Sequence, residues 1–249
     1  METRIDEIAD GIFRLSTFTT DLPPDGFTFN QYLIKAEQPL LFHCGGRALF
    51  PLVSEAAKKV LPLNTIRWIS FGHVESDECG SMNQWLSVAP KAEIVHGAVA
   101  CMVSLNDLAD RAPRVLANNE VLDLGGKRVR YIDTPHVPHA WESGLIYEET
   151  TKTLFTGDLF TQLGCGPAIS DQSIVKDAIL AEDAFHAMAL TPDTAATIRR
   201  LKELGAENLA VMHGSCFRGD CASELEALAA YASKALSTAL NKADERGRP

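Results

Sequence analysis

The segment that most constrains this chain is Gly72-His-Val-Glu-Ser-Asp-Glu78, which directly follows the short apolar run Ile66–Phe71. The run predicts a buried strand, and the glycine ends it. Side chains alternate along extended backbone, so in an extended loop His73, Glu75 and Asp77 point to one side. One imidazole and two carboxylates at this spacing suit a transition metal, because calcium takes oxygen ligands almost exclusively. Alone, the segment also reads as an ordinary polar loop.

Three further ligand-type residues follow apolar strand-like runs. His139 comes after residues 127–133, Asp158 sits in Phe155-Thr-Gly-Asp158 after 153–155, and His213 sits in Val211-Met-His-Gly-Ser215 after 209–212. Four such loops at four strand ends are hard to reconcile with coincidence.

The hydropathy pattern supplies the frame. Strands are expected over 11–19, 28–43, 66–71, 93–96, 119–124, 127–133, 143–147, 153–155 and 209–212, with Leu22–Gly26 and Gly125-Gly126 as turns. Helices are expected over 52–61, 79–89, 174–189, 194–204 and 221–243, with 242–249 as a frayed tail. Strands followed by helix–strand alternation, hairpins and a helix–strand–helix end imply an α/β protein with mixed sheets and outer helices. No linker or repeat divides the chain, so residues 1–249 are expected to form a single domain.

Composition removes several classes. Acidic residues outnumber Lys and Arg by 33 to 23, a net charge of −10, which disfavours binding to nucleic acid. No apolar run is long enough for a bilayer, and the N-terminus lacks a signal-peptide pattern, so no membrane association and a cytoplasmic location are expected. The six cysteines are then expected to be reduced thiols.

Taken together, His73-x-Glu75-x-Asp77, Thr134-Pro…His139-x-x-x-Ser143, Thr156-Gly-Asp158 and His213-Gly resemble the metallo-β-lactamase superfamily, from about residue 11 to 215. The resemblance implies a four-layer αββα sandwich. The superfamily's zinc hydrolases carry His at the second motif position. Glu75 there, and the run Asn30-Gln-Tyr-Leu-Ile34, are similar to the flavodiiron and oxygen-binding diiron branch. That branch implies two iron ions, with zinc or manganese as alternatives. His73, Glu75 and His139 would hold one ion, Asp77 and His213 the other, and Asp158 would bridge them. Asp158 and Glu75 are the catalytic candidates. Three carboxylates favour harder, more oxidised metals, which independently suits iron.

Departures matter as well. Flavodiiron proteins continue into a flavodoxin domain, whereas this sequence ends at Pro249, so a separate flavoprotein or rubredoxin-like electron donor is expected. Glu78 replaces a usual His and is read as a solvent-facing residue at a helix start, with an extra metal ligand as the alternative. No His occurs in the 16–28 loop, where flavodiiron proteins carry one.

His43 stands where relatives often carry Asp; it either orients the metal loop or is simply a buried histidine. His136 is a pocket or loop residue, and His96 and His186 read as structural. Cys79, Cys165 and Cys216 either fill small spaces or form a redox-sensing thiol cluster. Trp141, Phe160 and Met212 are candidates for an apolar pocket wall.

The functions implied are a non-haem di-iron protein, a homodimer, that binds or reduces dioxygen or nitric oxide as a reductase or as a sensor. The alternative is a dinuclear hydrolase of an ester, thioester or lactone.

Overall fold

The computed structural model describes residues 1–21 and 25–246. Residues 22–24 of the expected Leu22–Gly26 turn lie outside the described residues, as do residues 247–249 of the expected tail.

The first sheet is built in chain order from β1 (Thr3–Ala9), β2 (Ile12–Thr19), β3 (Phe27–Ile34), β4 (Leu40–Phe42), β5 (Trp68–Ser70), β6 (Glu93–Gly97) and β7 (Arg114–Leu116). Its first four strands are antiparallel neighbours and the last three add in parallel. The second sheet contains β8 (Val121–Asp123), β9 (Arg128–Asp133), β10 (Gly144–Glu148), β11 (Thr153–Phe155), β12 (Ile169–Ser170), β13 (Asn208–Ala210) and β14 (Cys216–Arg218). Its spatial order is β12-β14-β13-β11-β10-β9-β8.

Eight α-helical segments accompany the sheets among the described residues: α1 (Phe50–Lys58), α2 (Ser76–Cys79), α3 (Met82–Val88), α4 (Ala98–Ala100), α5 (Asn106–Leu108), α6 (Val175–Phe185), α7 (Thr194–Arg200) and α8 (Cys221–Arg246). None is long and apolar enough to cross a membrane.

Strand periodicity sorts side chains into three apolar layers. Leu33, Leu41, Ile69 and Ile94 face α1 and α3 through Val53, Ala57, Trp85 and Leu86. Their chain neighbours Tyr32, Phe42 and Val95 face the other way, against Ile146, Phe155 and Ala210 of the second sheet. Leu145, Leu154 and Leu209 turn outward again, onto Ala178, Ile198, Leu225 and Leu228 of α6, α7 and α8. Helix, sheet, sheet and helix thus stack as a four-layer sandwich, as the motif set implied. Each fully buried Leu contributes about 1.5–3 kcal/mol.

Four strands escape the hydropathy pattern. β1 is a half-buried edge strand rich in polar residues, and β7, β12 and β14 are only two or three residues long. The run over 28–43 divides into β3 and β4, and the helix expected over 79–89 is two helices, α2 and α3. The helix expected to reach residue 189 stops at Phe185, where His186 adopts a left-handed φ of 51°. At the C-terminus, α8 continues through residues 242–246.

Backbone bonds join the two sheets at one edge. Gly144 N donates to Gly72 O at 2.8 Å and Asn30 N donates to Met212 O at 2.9 Å. This draws the ends of β5, β9, β11 and β13, and the loops that leave them, to a common rim.

Candidate metal centre

The structure brings together all six ligand-type residues singled out in the sequence. His73 Nε2 lies 2.7 Å from Glu75 Oε2 and 2.9 Å from His139 Nε2, and His139 Nε2 lies 3.3 Å from Glu75 Oε2. Asp158 Oδ2 is 3.4 Å from His139 Nε2 and 3.8 Å from His73 Nε2. Its other oxygen, Oδ1, is 3.2 Å from His213 Nε2, which is in turn 3.3 Å from Asp77 Oδ2. The six therefore partition around Asp158, with His73, Glu75 and His139 on one side and Asp77 and His213 on the other.

One donor atom from each of His73, Glu75, His139 and Asp158 lies within 4.8 Å of the rest, a grouping that can hold a metal ion. The donor chemistry fits a cation. Two imidazole nitrogens converge on one another and on carboxylate oxygens, and buried Asp158 Oδ1 has no hydrogen-bond partner. A site that leaves such acceptors without donors is costly unless a cation satisfies them.

The first motif is not extended throughout. Glu75 is extended (φ −132°, ψ 156°) and precedes α2, so Asp77 lies in a helical turn. That change of backbone directs Asp77 toward His213 while His73 and Glu75 stay with His139.

Other residues hold the loops. The Ser143 hydroxyl donates to the His139 carbonyl, which accounts for the four-residue spacing between them. Val74 N donates to Glu142 Oε1 at 3.1 Å, tying the first loop to the second. Residues of β3 clamp the His213 loop. Asn30 Nδ2 donates to the carbonyls of Val211 and Gly214, each at 2.9 Å, and the Tyr32 hydroxyl donates to Val211 O at 2.5 Å. Buried Arg14 donates to Asn30 Oδ1 and Gly214 O, both at 2.9 Å. Gly214 has φ +101°, and a Cβ there would approach Gln162 Cβ to 2.6 Å, so glycine is required.

Charge and burial are set against each other. Burial opposes protonation of His73, but Glu78, Glu75 and Asp158 outweigh it and push the pKa up to about 12. His213 is likewise opposed by burial and raised to about 10 by Asp158 and Asp77. Hydrogen bonds from His139 and His73 hold the Glu75 carboxyl far below the usual range.

A cavity of about 470 Å³ opens over the cluster. Glu75, Asp77, His139, Asp158 and His213 line its floor, and Phe27, Phe160, Phe185, Met188 and Leu228 line its walls. The Phe27 ring lies 4.3 Å from the His213 ring, and Phe29 meets that ring edge-on at 5.3 Å.

Several sequence expectations need correction. Glu78 is fully buried, not solvent-facing, and it touches His73 Nδ1 and backbone N–H groups and not the converging ligand atoms. Its carboxylate approaches Gly72, where a Cβ would come within 2.9 Å of Oε2. Of the three proposed pocket walls only Phe160 lines the cavity. Trp141 is 56% exposed, and Met212 is buried in the His213 loop.

Cys79, Cys165 and Cys216 lie in three different surroundings. Cys79 packs between the first sheet and its helices, Cys216 lies between the sheets beside the Tyr32 hydroxyl, and Cys165 is exposed. His136 is exposed, with a left-handed φ of 64°. His96 is buried against Tyr131 and Phe71. Phe27, Phe185, Met188 and Glu182 were missed. An aromatic at a helix end carries no sequence signal of its own, whereas Arg14 does: it shares the inward parity of Ile12 in β2.

Two seven-stranded sheets between helical layers, with a histidine–carboxylate cluster at the rim joining them, define a metallo-β-lactamase-type domain. Within that class the chain belongs to the ODP family beta lactamases, whose profile matches residues 27–214, and to the flavodiiron branch. It is 24% identical over 204 residues to the anaerobic nitric oxide reductase flavorubredoxin of Pectobacterium carotovorum, covering 78% of this chain and 40% of that protein. The metal-soaked flavodiiron core from Synechocystis superimposes with a TM-score of 0.78 at 25% identity, over 95% of this chain and 61% of that one. Rubredoxin oxygen:oxidoreductase from Desulfovibrio gigas superimposes with a TM-score of 0.81 at 20% identity, over 92% and 62%. The chain spans about a third of the length of the first curated relatives it matches.

Proposed function

We propose that this chain, acting as one domain, holds two iron ions and binds or reduces dioxygen or nitric oxide. In this reading His73, Glu75 and His139 hold one ion, Asp77 and His213 the other, and Asp158 serves both. The observation that carries it is the placement of Asp158, whose two oxygens face two different groups of ligand-type residues. A carboxylate-rich donor set with three imidazoles favours iron over zinc. Bound iron would supply the reducing equivalents and the open coordination for a diatomic ligand. The protein's own contribution is to orient three imidazoles, keep the Glu75 carboxylate charged beside them, and surround the open face with Phe27, Phe160 and Phe185, which limit water.

Turnover as a reductase requires electrons, and a flavoprotein or rubredoxin-like donor acting on a homodimer is the partner we propose. The names of the flavorubredoxin and of the rubredoxin oxygen:oxidoreductase support that donor class. Without a donor the same site serves as a sensor.

Hydrolysis of an ester, thioester or lactone is the second reading, and one observation favours it. The cavity of about 470 Å³ falls within the range of organic-ligand sites and exceeds what a diatomic gas needs.

The experiment is anaerobic reconstitution with ferrous iron, followed by elemental analysis and by oxygen- and nitric-oxide-electrode traces with and without a chemical reductant. Expected are close to two irons per chain and reductant-dependent gas consumption. Zinc alone in the presence of excess iron, with hydrolysis of a thioester or lactone and no gas consumption, would overturn the di-iron reading in favour of the hydrolase.

A further inference from the structure

Behind the ligand cluster lies a buried pair that the proposed reaction does not use. The side chains of Glu78 and His43 are both fully buried, and neither lines the cavity. Glu78 Oε2 accepts the backbone N–H groups of Gly72 and His73, the latter at 2.9 Å. Glu78 Oε1 faces His73 Nδ1 at 3.3 Å and His43 Nε2 at 3.6 Å, and both Oε1 and His43 Nε2 are buried with no hydrogen-bond partner, so these two rings are the groups set against that oxygen. His43 is fixed from the other side. Its backbone N–H donates to Ser70 O at 2.9 Å, its ring Nδ1 lies 3.3 Å from Asn30 O, and its ring packs 4.2 Å from Phe42. Its φ of 64° is left-handed, a conformation a non-glycine residue adopts only when its surroundings impose it. A backbone bond from Cys44 N to Glu78 O, 2.5 Å, straps the two residues into one frame.

The three imidazoles of the cluster are held differently at their inner nitrogens. His213 Nδ1 meets the neutral Thr28 carbonyl at 2.8 Å, His139 Nδ1 is buried without a partner, and His73 Nδ1 meets a carboxylate. An imidazole ligates through one nitrogen only when the other carries the proton, and a carboxylate on that N–H both fixes the ring and strengthens it as a donor.

We propose that Glu78 and His43 form a positioning pair for His73. Glu78 Oε1 accepts from the Nδ1–H of His73, which keeps its proton there so that Nε2 faces the ligand cluster, and the His43 ring, 3.6 Å away, confines that oxygen. The pair acts on the His73 side of the site and leaves the His213 side to Thr28. It rests on the ligand set proposed above.

The test uses zinc as a diamagnetic probe on the full chain. Bound zinc is titrated in wild type, Glu78→Gln, His43→Gln and the double variant, and ring ¹⁵N shifts of His73 are recorded in zinc-loaded wild type. In wild type His73 is expected to carry its proton on Nδ1. Glu78→Gln should weaken the ion on the His73 side about 10- to 100-fold and leave the ion held by Asp77 and His213 within about threefold. His43→Gln should act in the same direction more weakly, and the double variant should be no worse than Glu78→Gln alone, since both act through one oxygen. The wild-type shifts keep the test decisive even where a variant fails to fold. A His73 proton on Nε2, or Glu78→Gln affinities equal to wild type, overturns the pair. Loss of both ions to the same extent assigns Glu78 a general structural role instead. Wild type that takes up no zinc overturns the ligand set beneath it.

Discussion

The backbone carbonyl of Thr28 accepts the Nδ1 proton of His213 at 2.8 Å, across 185 residues of chain. A carbonyl can only accept, so the contact fixes the tautomer and leaves Nε2 free to face Asp77 and Asp158. The ring is held because β3 of one sheet and the loop after β13 of the other share the same rim.

Asn30 is the side chain that secures this junction. Asn30→Ala removes two donors from the Val211 and Gly214 carbonyls and the acceptor of the Arg14 guanidinium. Val211 O keeps the Tyr32 hydroxyl and Gly214 O keeps Arg14, so the group left without a partner is the buried Arg14 Nε, at a cost of about 1–3 kcal/mol. Denaturant unfolding should show that loss, with weaker metal binding on the His213 side. A change under about 0.5 kcal/mol would mean the loop is held by other contacts.

Asp158→Asn keeps the shape and removes the charge that faces both groups of ligands. The variant is expected to lose at least one ion of two, first the one with fewer protein donors, beside Asp77 and His213. Retention of both ions by elemental analysis, with an unchanged optical spectrum, would show that Asp158 does not serve both.

The two histidines of the 134–139 loop should behave oppositely. His139 Nε2 points at His73 and Glu75, whereas His136 is exposed on the loop surface. His139→Ala should empty or distort the position shared with His73, and His136→Ala should leave metal content near that of wild type. Metal analysis of the two variants decides it, and the reverse result would shift the ligand register by three residues.

Metal uptake should release protons. In the metal-free protein the pKa values of His73 and His213 are raised to about 12 and about 10, so both rings are charged at neutral pH. Their folded values exceed the unfolded one, so the stability they contribute is fully present below about pH 6.5. It is lost as pH rises through about 10 for His213 and about 12 for His73. A metal must displace these protons, so binding should tighten with rising pH and release about two protons per chain near neutrality. Calorimetry in buffers of different ionisation enthalpy measures this directly, and zero release would contradict the raised values.

The legible part of this molecule was what local pattern carries. The apolar run Ile66–Phe71 ending at Gly72, and the short strands before Asp158 and His213, announced themselves because alternation and burial are written into neighbouring residues. Glu78 was misread for the converse reason. An acidic residue at a helix start ordinarily faces water, and only the approach of Gly72, His73 and His43 shows that it is buried. Phe185 and Met188, on the cavity wall, and Thr28, through its carbonyl, act by position alone and have no signature in composition or spacing.

The sequence by itself determined which ligand-type residues are available, three imidazoles and three carboxylates, and the strand ends from which they emerge. The family resemblance implied how those residues divide, but only the tertiary structure supplies the physical cause, the helical turn that rotates Asp77 away from Glu75 and the sheet junction that sets His213 opposite Asp158. Distances between residues far apart in the chain are fixed by how two sheets pack, and packing is a property of all the buried side chains together, not of any motif.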